Sequence, residues 1–287
     1  QLSHYHLPAA PDAPDQGSPL LWLHANGYGA RTYTPLLTAL ADAGYSVHAL
    51  DFVGHGNSSA TTEFENWFFF RDQVLALLEH LALPEVRLIG HSMGGATSLL
   101  TAAELERRAQ AGDANATRVR ALCLLDPTVF TPWIMRIMPF LPNPMVKGAL
   151  SRRSIFKSRK VVARSYRMQP GFNDWRDDVF VAYLDCALRE TPDGQFELVL
   201  PPAVEAQLFR TLKPGYWPHN RRVSVPLLVV QESGKGGVCP DRARRMLVKQ
   251  NPASRGYRHA DGSHFFPMED PDGTVAAIRV FLKGLPE

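Results

Sequence analysis

The apolar run 86–89 leads into Gly90-His91-Ser92-Met93-Gly94-Gly95 and on into the small-residue segment Ala96-Thr97-Ser98-Leu99-Leu100. This order reads as a strand, a sharp turn and a helix. Gly90 and Gly94 flank the tip, at positions where a Cβ would crowd the strand or the helix. A serine hydroxyl is a poor nucleophile, so an enzyme that attacks with one exposes it on a strained turn, beside a base and near backbone donors. The helix that begins beyond Ser92 offers free N–H groups to developing negative charge. A tight connection with an idle serine is the competing reading. The string G-x-S-x-G arises by chance in roughly one chain in ten of this length, so it is the flanking strand and helix that single out Ser92 as the candidate nucleophile.

The rest of the chain alternates in the same manner. Residues 2–7 read as an edge strand, and 20–24 as a short continuous apolar strand of the kind buried in a parallel sheet. A helix over 34–43 carries Leu36, Leu37, Leu40 and Ala41 on one face and stops at Gly44. Strands follow at 45–51, 119–126, 225–231 and 255–259, and helices at 67–83, 240–249 and 271–284. The fold class is therefore α/β, a mostly parallel sheet with helices on both faces. In such sheets the site lies beyond the carboxyl ends of the strands, which places His24 to Tyr28, Asp51 to Ser58, Ser92 and Asp126 on one rim. Between 131 and 222 the alternation stops. Helical stretches near 144–167, 173–190 and 201–212, with no convincing buried strand, predict a helical cap inserted into a core made of 1–130 and 223–287.

Length and composition narrow the function classes. A chain of 287 residues suffices for one large core and a smaller insertion. No apolar run approaches the ~20 residues needed to span a bilayer, and the expectation leans towards the cytoplasm, although a leader or anchor preceding Gln1 would not be visible. Cys123, Cys186 and Cys239 are odd in number and widely spaced, which argues against a disulfide framework or a zinc cluster; no metal or cofactor is expected. Eight basic residues and no acidic ones lie between Lys147 and Arg167, which leaves the rest of a chain of net charge +3 negative. The basic run reads as a solvated helical face, as attraction to an anionic membrane surface, or as steering of an anionic substrate. An adjoining apolar stretch, from Trp133 to Val146 and broken by prolines, makes the membrane-surface contact worth stating. The same stretch is either ordinary packing of cap on core or, with Trp133 and Trp67, the wall of an acyl pocket. Nucleic-acid binding is not expected, because no fold motif or interleaved aromatic platform accompanies the charge.

Four spaced motifs carry a resemblance. His24-Ala25-Asn26-Gly27, Asp51-Phe52-Val53-Gly54-His55-Gly56-Asn57-Ser58, the Ser92 turn and Gly262-Ser263-His264-Phe265 occur in the order found in the α/β-hydrolase superfamily. The chain resembles that superfamily over nearly its whole length, and within it the capped bacterial serine esterase-like hydrolases. The resemblance implies a serine hydrolase acting on a small-molecule ester, with Ser92 as nucleophile, His264 as base, and the backbone N–H groups of Asn26 and Met93 as oxyanion hole. The orienting acid has two candidates. Relatives often carry it in the loop after the strand that here ends at Gln231, where Glu232 stands; others take it from the end of the preceding strand, which points to Asp126. Lactones, thioesters, lipid esters or a carbon–carbon bond are alternative substrates for the same residues. Epoxide hydrolases and dehalogenases resemble this chain but use aspartate where Ser92 stands. A ligand-binding module on a hydrolase scaffold is the rival from another class.

Overall fold

Every residue of the strand Leu20–Leu23 (β2) is fully buried, and its neighbours divide cleanly between two layers. Leu21 and Leu23 join one buried cluster, Leu20 and Trp22 the other, as the two-residue period of a strand covered on both faces requires. The computed structural model describes residues 1–61, 63–137, 140, 143–211, 223–234 and 237–285.

Seven strands make the main sheet. The edge strand Ser3–Leu7 (β1) runs antiparallel to Val47–Asp51 (β3); β2, Glu85–His91 (β4), Arg118–Leu125 (β5), Leu227–Gln231 (β9) and Arg255–Arg258 (β10) continue in parallel, in the spatial order β1-β3-β2-β4-β5-β9-β10. One layer holds the helices Phe68–Leu81 (α2), Met93–Gln110 (α3) and Asp241–Val248 (α9); the other holds Thr34–Asp42 (α1) and Pro271–Lys283 (α10). The mostly parallel sheet with helices on both faces is thus the one the alternation predicts.

Between β5 and β9 the chain forms Pro132–Ile137 (α4), Pro144–Leu150 (α5), Ile155–Phe156 (β6), Arg159–Arg167 (α6), Asp177–Ala187 (α7), Leu188–Glu190 (β7), Phe196–Leu198 (β8) and Pro202–Arg210 (α8). The helical reading of this segment needs amending. A three-stranded antiparallel sheet, β6-β8-β7, interrupts the stretches 144–167 and 173–190. These strands have two or three residues, and only Phe156 and Leu198 in them are buried, too few for alternation to register. Of the apolar stretch, Met138, Pro139, Leu141 and Pro142 lie outside the described residues, as does 212 of the third helical stretch. Nor is α7 detached from the core: its Val179, Phe180, Tyr183 and Leu184 share a buried cluster with Tyr33 and Phe266, and Arg176 N–H donates to Met268 O at 3.0 Å. Arginines of the basic run meet acids from later in the segment, Arg152 with Glu205, Arg159 with Asp185 and Arg167 with Asp177. Among the described residues no helix is long and apolar enough to cross a membrane.

The layer containing α3 sits close on the sheet. A Cβ on Gly94 would stand 2.0 Å from Leu23 O, and one on Gly90 2.3 Å from the Gly94 carbonyl carbon. Both obstacles are backbone and cannot turn aside. Gly94→Ala is therefore expected to destabilise the protein by about 3 kcal/mol. Gly148→Ala, on α5 where a Cβ meets nothing within 4 Å, should be neutral or stabilising by up to ~1 kcal/mol. Urea unfolding of both variants checks the contrast; equal midpoints would mean that α3 has room to move.

Candidate active site

The strand β4 ends at His91 and α3 begins at Met93, so a single residue makes the turn. That residue is Ser92, at φ 54° and ψ −114°, left-handed backbone that a side-chain-bearing residue adopts only when its surroundings hold it there. Ser92 N–H donates to Leu125 O at 2.9 Å, and Ser92 O accepts from Ala96 N–H at 3.2 Å and Thr128 N–H at 3.0 Å. Met93 opens α3, so its N–H has no acceptor within the helix.

Two side chains complete a line with Ser92. His264 Nε2 is 3.0 Å from Ser92 Oγ, and His264 Nδ1 is 2.6 Å from Asp126 Oδ2. Asp126 is wholly buried and also left-handed, at φ 37°, with its N–H given to Val230 O at 2.7 Å. A carboxylate only accepts, so His264 Nδ1 carries the proton and, in the neutral imidazole, Nε2 accepts from the Ser92 hydroxyl. Both ring nitrogens are thereby engaged, leaving none for Glu232. The Glu232 side chain folds back over its own loop, where a Cβ on Gly237 would come within 2.8 Å of it. That loop instead braces the histidine: Ser233 N–H and Oγ–H donate to Gly262 O at 2.8 and 2.9 Å.

The rim histidines that the turn motifs contain act as neutral wedges. His24 donates from Nδ1 to Ala25 O at 2.8 Å and accepts Phe52 N–H on Nε2 at 3.0 Å. His55 accepts Gly27 N–H on Nε2 at 3.2 Å, with the Asn26 side-chain amide 3.3 Å from the same nitrogen. Burial lowers His24 to about 4 and His55 to about 3, and pushes His91 well below its ordinary value. His91 Nε2–H donates to His264 O at 2.9 Å; its Nδ1 then accepts from the Tyr33 hydroxyl at 2.7 Å, and the Tyr33 oxygen accepts Ala25 N–H at 3.2 Å. A buried chain of hydrogen bonds thus joins the Ala25-Asn26 loop to the backbone of His264. Asp51, also on the rim, is a brace: it accepts from Ala30 N–H at 2.6 Å, Asn57 N–H at 2.8 Å and the Tyr5 hydroxyl at 2.7 Å.

The two tryptophans part company. Trp67 is buried in the cluster that contains Met93 and Val129, and its indole N–H donates to Leu208 O at 3.3 Å. Trp133 stands 69% exposed on α4, outside that cluster. Aromatic residues that composition did not single out pack on Tyr28 and on Phe265, the neighbour of His264. Trp175 and Tyr183 of the inserted segment pack on Tyr28, with ring centroids 5.6 and 5.5 Å apart, and Trp175 also meets Phe265 at 5.8 Å. Sequence reasoning also passed over Thr128, whose Oγ1 is 3.2 Å from Ser92 Oγ. Its position two residues beyond Asp126 was the available signal. Among the described residues no group of His, Cys, Asp and Glu is placed to hold a metal ion.

With this geometry in hand, comparison with known proteins is specific. The family model described as the alpha/beta hydrolase family matches residues 20–277. A haloalkane dehalogenase of Mycobacterium marinum is 26% identical over 96% of this chain and 88% of its own. A Haemophilus influenzae protein classed provisionally as an esterase/lipase is 39% identical over 83% of this chain and 74% of its own. Among solved structures, E-2-(acetamidomethylene)succinate hydrolase superposes with a TM-score of 0.74 at 20% identity, covering 99% of this chain and all of that one.

The buried histidines impose a pH dependence on stability. Each stays neutral when folded but takes up a proton when unfolded below its ordinary value of 6.5, so the unfolded state gains protons first as the pH falls. Unfolding free energy is expected to decrease from pH 6.5 towards pH 4 by about 1.4 kcal/mol per pH unit for each of His24 and His55. Urea unfolding at pH 7, 6 and 5 measures the slope, and a flat profile would mean that these rings are charged in the folded protein.

Proposed function

The chain belongs to the alpha/beta hydrolase family, and from that premise we propose that it is a serine hydrolase cleaving carboxylic esters through an acyl-serine intermediate. The observation that carries the reading is the file Asp126–His264–Ser92, with contacts of 2.6 and 3.0 Å. In the first half-reaction a lone pair of Ser92 Oγ bonds to the ester carbonyl carbon, the carbonyl π pair moves to its oxygen, and the Ser92 proton passes to His264 Nε2. The tetrahedral oxyanion is met by the N–H groups of Met93 and Asn26, each such donor contributing ~3 kcal/mol of transition-state stabilisation. Collapse breaks the bond to the alcohol, which leaves with the proton from Nε2. Water repeats the sequence on the acyl-serine. Asp126 holds the imidazole in the Nδ1–H tautomer throughout and stabilises its charged form.

The segment 131–222 serves in this reading as a cap that shelters the acyl group. The support is that its Trp175 and Tyr183 touch Tyr28, beside the Asn26 loop, and that Trp175 also touches Phe265, next to His264. Lactones and thioesters meet the same nucleophile by the same steps. Dehalogenation does not follow from the similarity to the Mycobacterium marinum enzyme, because position 92 offers a hydroxyl and not the aspartate of the resembling dehalogenases.

Incubation with a fluorophosphonate followed by intact mass, alongside turnover of p-nitrophenyl esters graded by acyl length, tests the reading. One adduct is expected, absent in Ser92→Ala, with turnover of short or medium esters. Asp126→Asn should lower kcat by about 10⁴-fold, and Glu232→Gln by no more than about twofold. The reverse ranking in folded proteins would move the acid to Glu232; no adduct and no turnover would leave a ligand-binding protein on a hydrolase scaffold.

A further inference from the structure

Among the described residues, Ser92 Oγ has two hydrogen-bonding partners, and the mechanism so far uses one. The second is the Thr128 hydroxyl at 3.2 Å. Resting on the serine-hydrolase reading, we propose that Thr128 is a further catalytic residue, which donates a hydrogen bond to Ser92 Oγ and strengthens it as that oxygen gains negative charge.

The direction of the bond is forced by its neighbours. Asp126 accepts a hydrogen bond from His264 Nδ1–H, and Nε2 of the neutral ring then accepts one from the Ser92 hydroxyl. No proton of Ser92 remains for Thr128, so the proton in the 3.2 Å contact is that of Thr128. The lone pair it occupies is one of the two on Oγ, which leaves the other to attack.

Backbone contacts hold the threonine to the nucleophile's own residue. Thr128 N–H donates to Ser92 O at 3.0 Å, so Thr128 follows any movement of the turn. Asp126 N–H is bound to Val230 O, and Pro127 lies against α3, where a Cβ on Gly95 would come 2.7 Å from the proline Cβ. The tripeptide Asp126-Pro127-Thr128 is thus clamped between β9 and the turn. It presents a carboxylate behind His264 and a hydroxyl beside Ser92.

The chemistry this supplies is symmetric in the two half-reactions. During attack, Oγ gives up its proton to Nε2 while its lone pair forms the new C–O bond. During deacylation the C–Oγ bond breaks, Oγ departs with the electron pair, and it recovers a proton from Nε2. Oγ carries partial negative charge in both transition states, whereas it is a neutral hydroxyl or an ester oxygen in the ground states. Hydrogen bonds to charged acceptors are roughly twice as strong as neutral ones, so the Thr128 bond stabilises the transition states selectively. The Thr128 proton is never transferred.

Thr128→Val removes the hydroxyl and keeps the shape, and Thr128→Ser keeps the hydroxyl and removes the methyl. For both, and for the unaltered protein, the second-order rate of fluorophosphonate labelling is measured with kcat and KM for p-nitrophenyl acetate between pH 5 and 9, after thermal melting has established folding. Thr128→Val is expected to lose about ten- to thirtyfold in labelling rate and in kcat, with KM within about twofold and the acid limb of the pH profile unmoved; Thr128→Ser should stay within about threefold of the unaltered protein. Labelling of Thr128→Val at the original rate overturns the proposal. So does a Thr128→Ser variant as slow as Thr128→Val, which would assign the effect to methyl packing, and so does a displaced acid limb, which would mean that His264 had moved. Unaltered protein that takes no label would instead overturn the serine-hydrolase reading itself, a result separate from any comparison of variants.

Discussion

The site depends on how closely α3 lies on β2. Gly94 approaches the Leu23 carbonyl so nearly that even a methyl group would overlap it by more than an ångström, and this approach leaves one residue in which to turn from strand to helix. Ser92 therefore takes a left-handed conformation costing about 1–3 kcal/mol. The cost is offset by burial around it: nearly all of α3 from Met93 to Leu105 is buried, and Leu99, Leu100 and Ala102 sit in the main cluster with Leu21, Leu23 and Leu88. The strain is thus carried by packing, and the hydroxyl stands at the tip because the helix cannot retreat.

Around that tip, the buried histidines His24, His55 and His91 make hydrogen bonds of a single consistent direction. Water would compete for these bonds if they were exposed, and a charge among them would be costly to desolvate. Keeping His24, His55 and His91 neutral resolves both problems, because a neutral imidazole has one donor and one acceptor in fixed positions. The run from Ala25 N–H through Tyr33 and His91 to His264 O uses both ring nitrogens of His91. It ties the loop that would receive an oxyanion to the loop that holds the proposed base, by way of the residue just before Ser92.

The fold was legible because buried parallel strands are short apolar runs and the helices between them keep a clean period. The turn at Ser92 was legible because close backbone approach demands glycine on either side. What escaped was set by contacts between distant segments. The strands β6, β7 and β8 bury too few residues to register, and the acids that meet the basic run come from α7 and α8, so a run acid-free in sequence is not so in space. Trp133, read from its apolar surroundings as packing or as a pocket wall, stands exposed, while Trp175 and Tyr183, singled out by no motif, lie against Tyr28. Thr128 escaped for a different reason: Asp-Pro-Thr after a strand reads as an ordinary turn until Ser92 is placed beside it.

Where the carboxylate sits has consequences for the rest of the rim. Asp126 follows β5, which is the immediate neighbour of β4, and their register pairs His91 with Leu125. The Ser92 hydroxyl, the Asp126 carboxylate and the Thr128 hydroxyl are then spaced by a strand ladder together with Ser92 N–H to Leu125 O and Thr128 N–H to Ser92 O, elements that hold distances more tightly than loops do. Only His264 arrives from a loop, so only His264 needs outside support. The loop after β9, relieved of carrying the acid that meets the histidine, supplies it through Ser233 to Gly262, and His91 supplies it from the other side. With the carboxylate that meets His264 one strand inward, after β5, the outer loop is left to act as a brace.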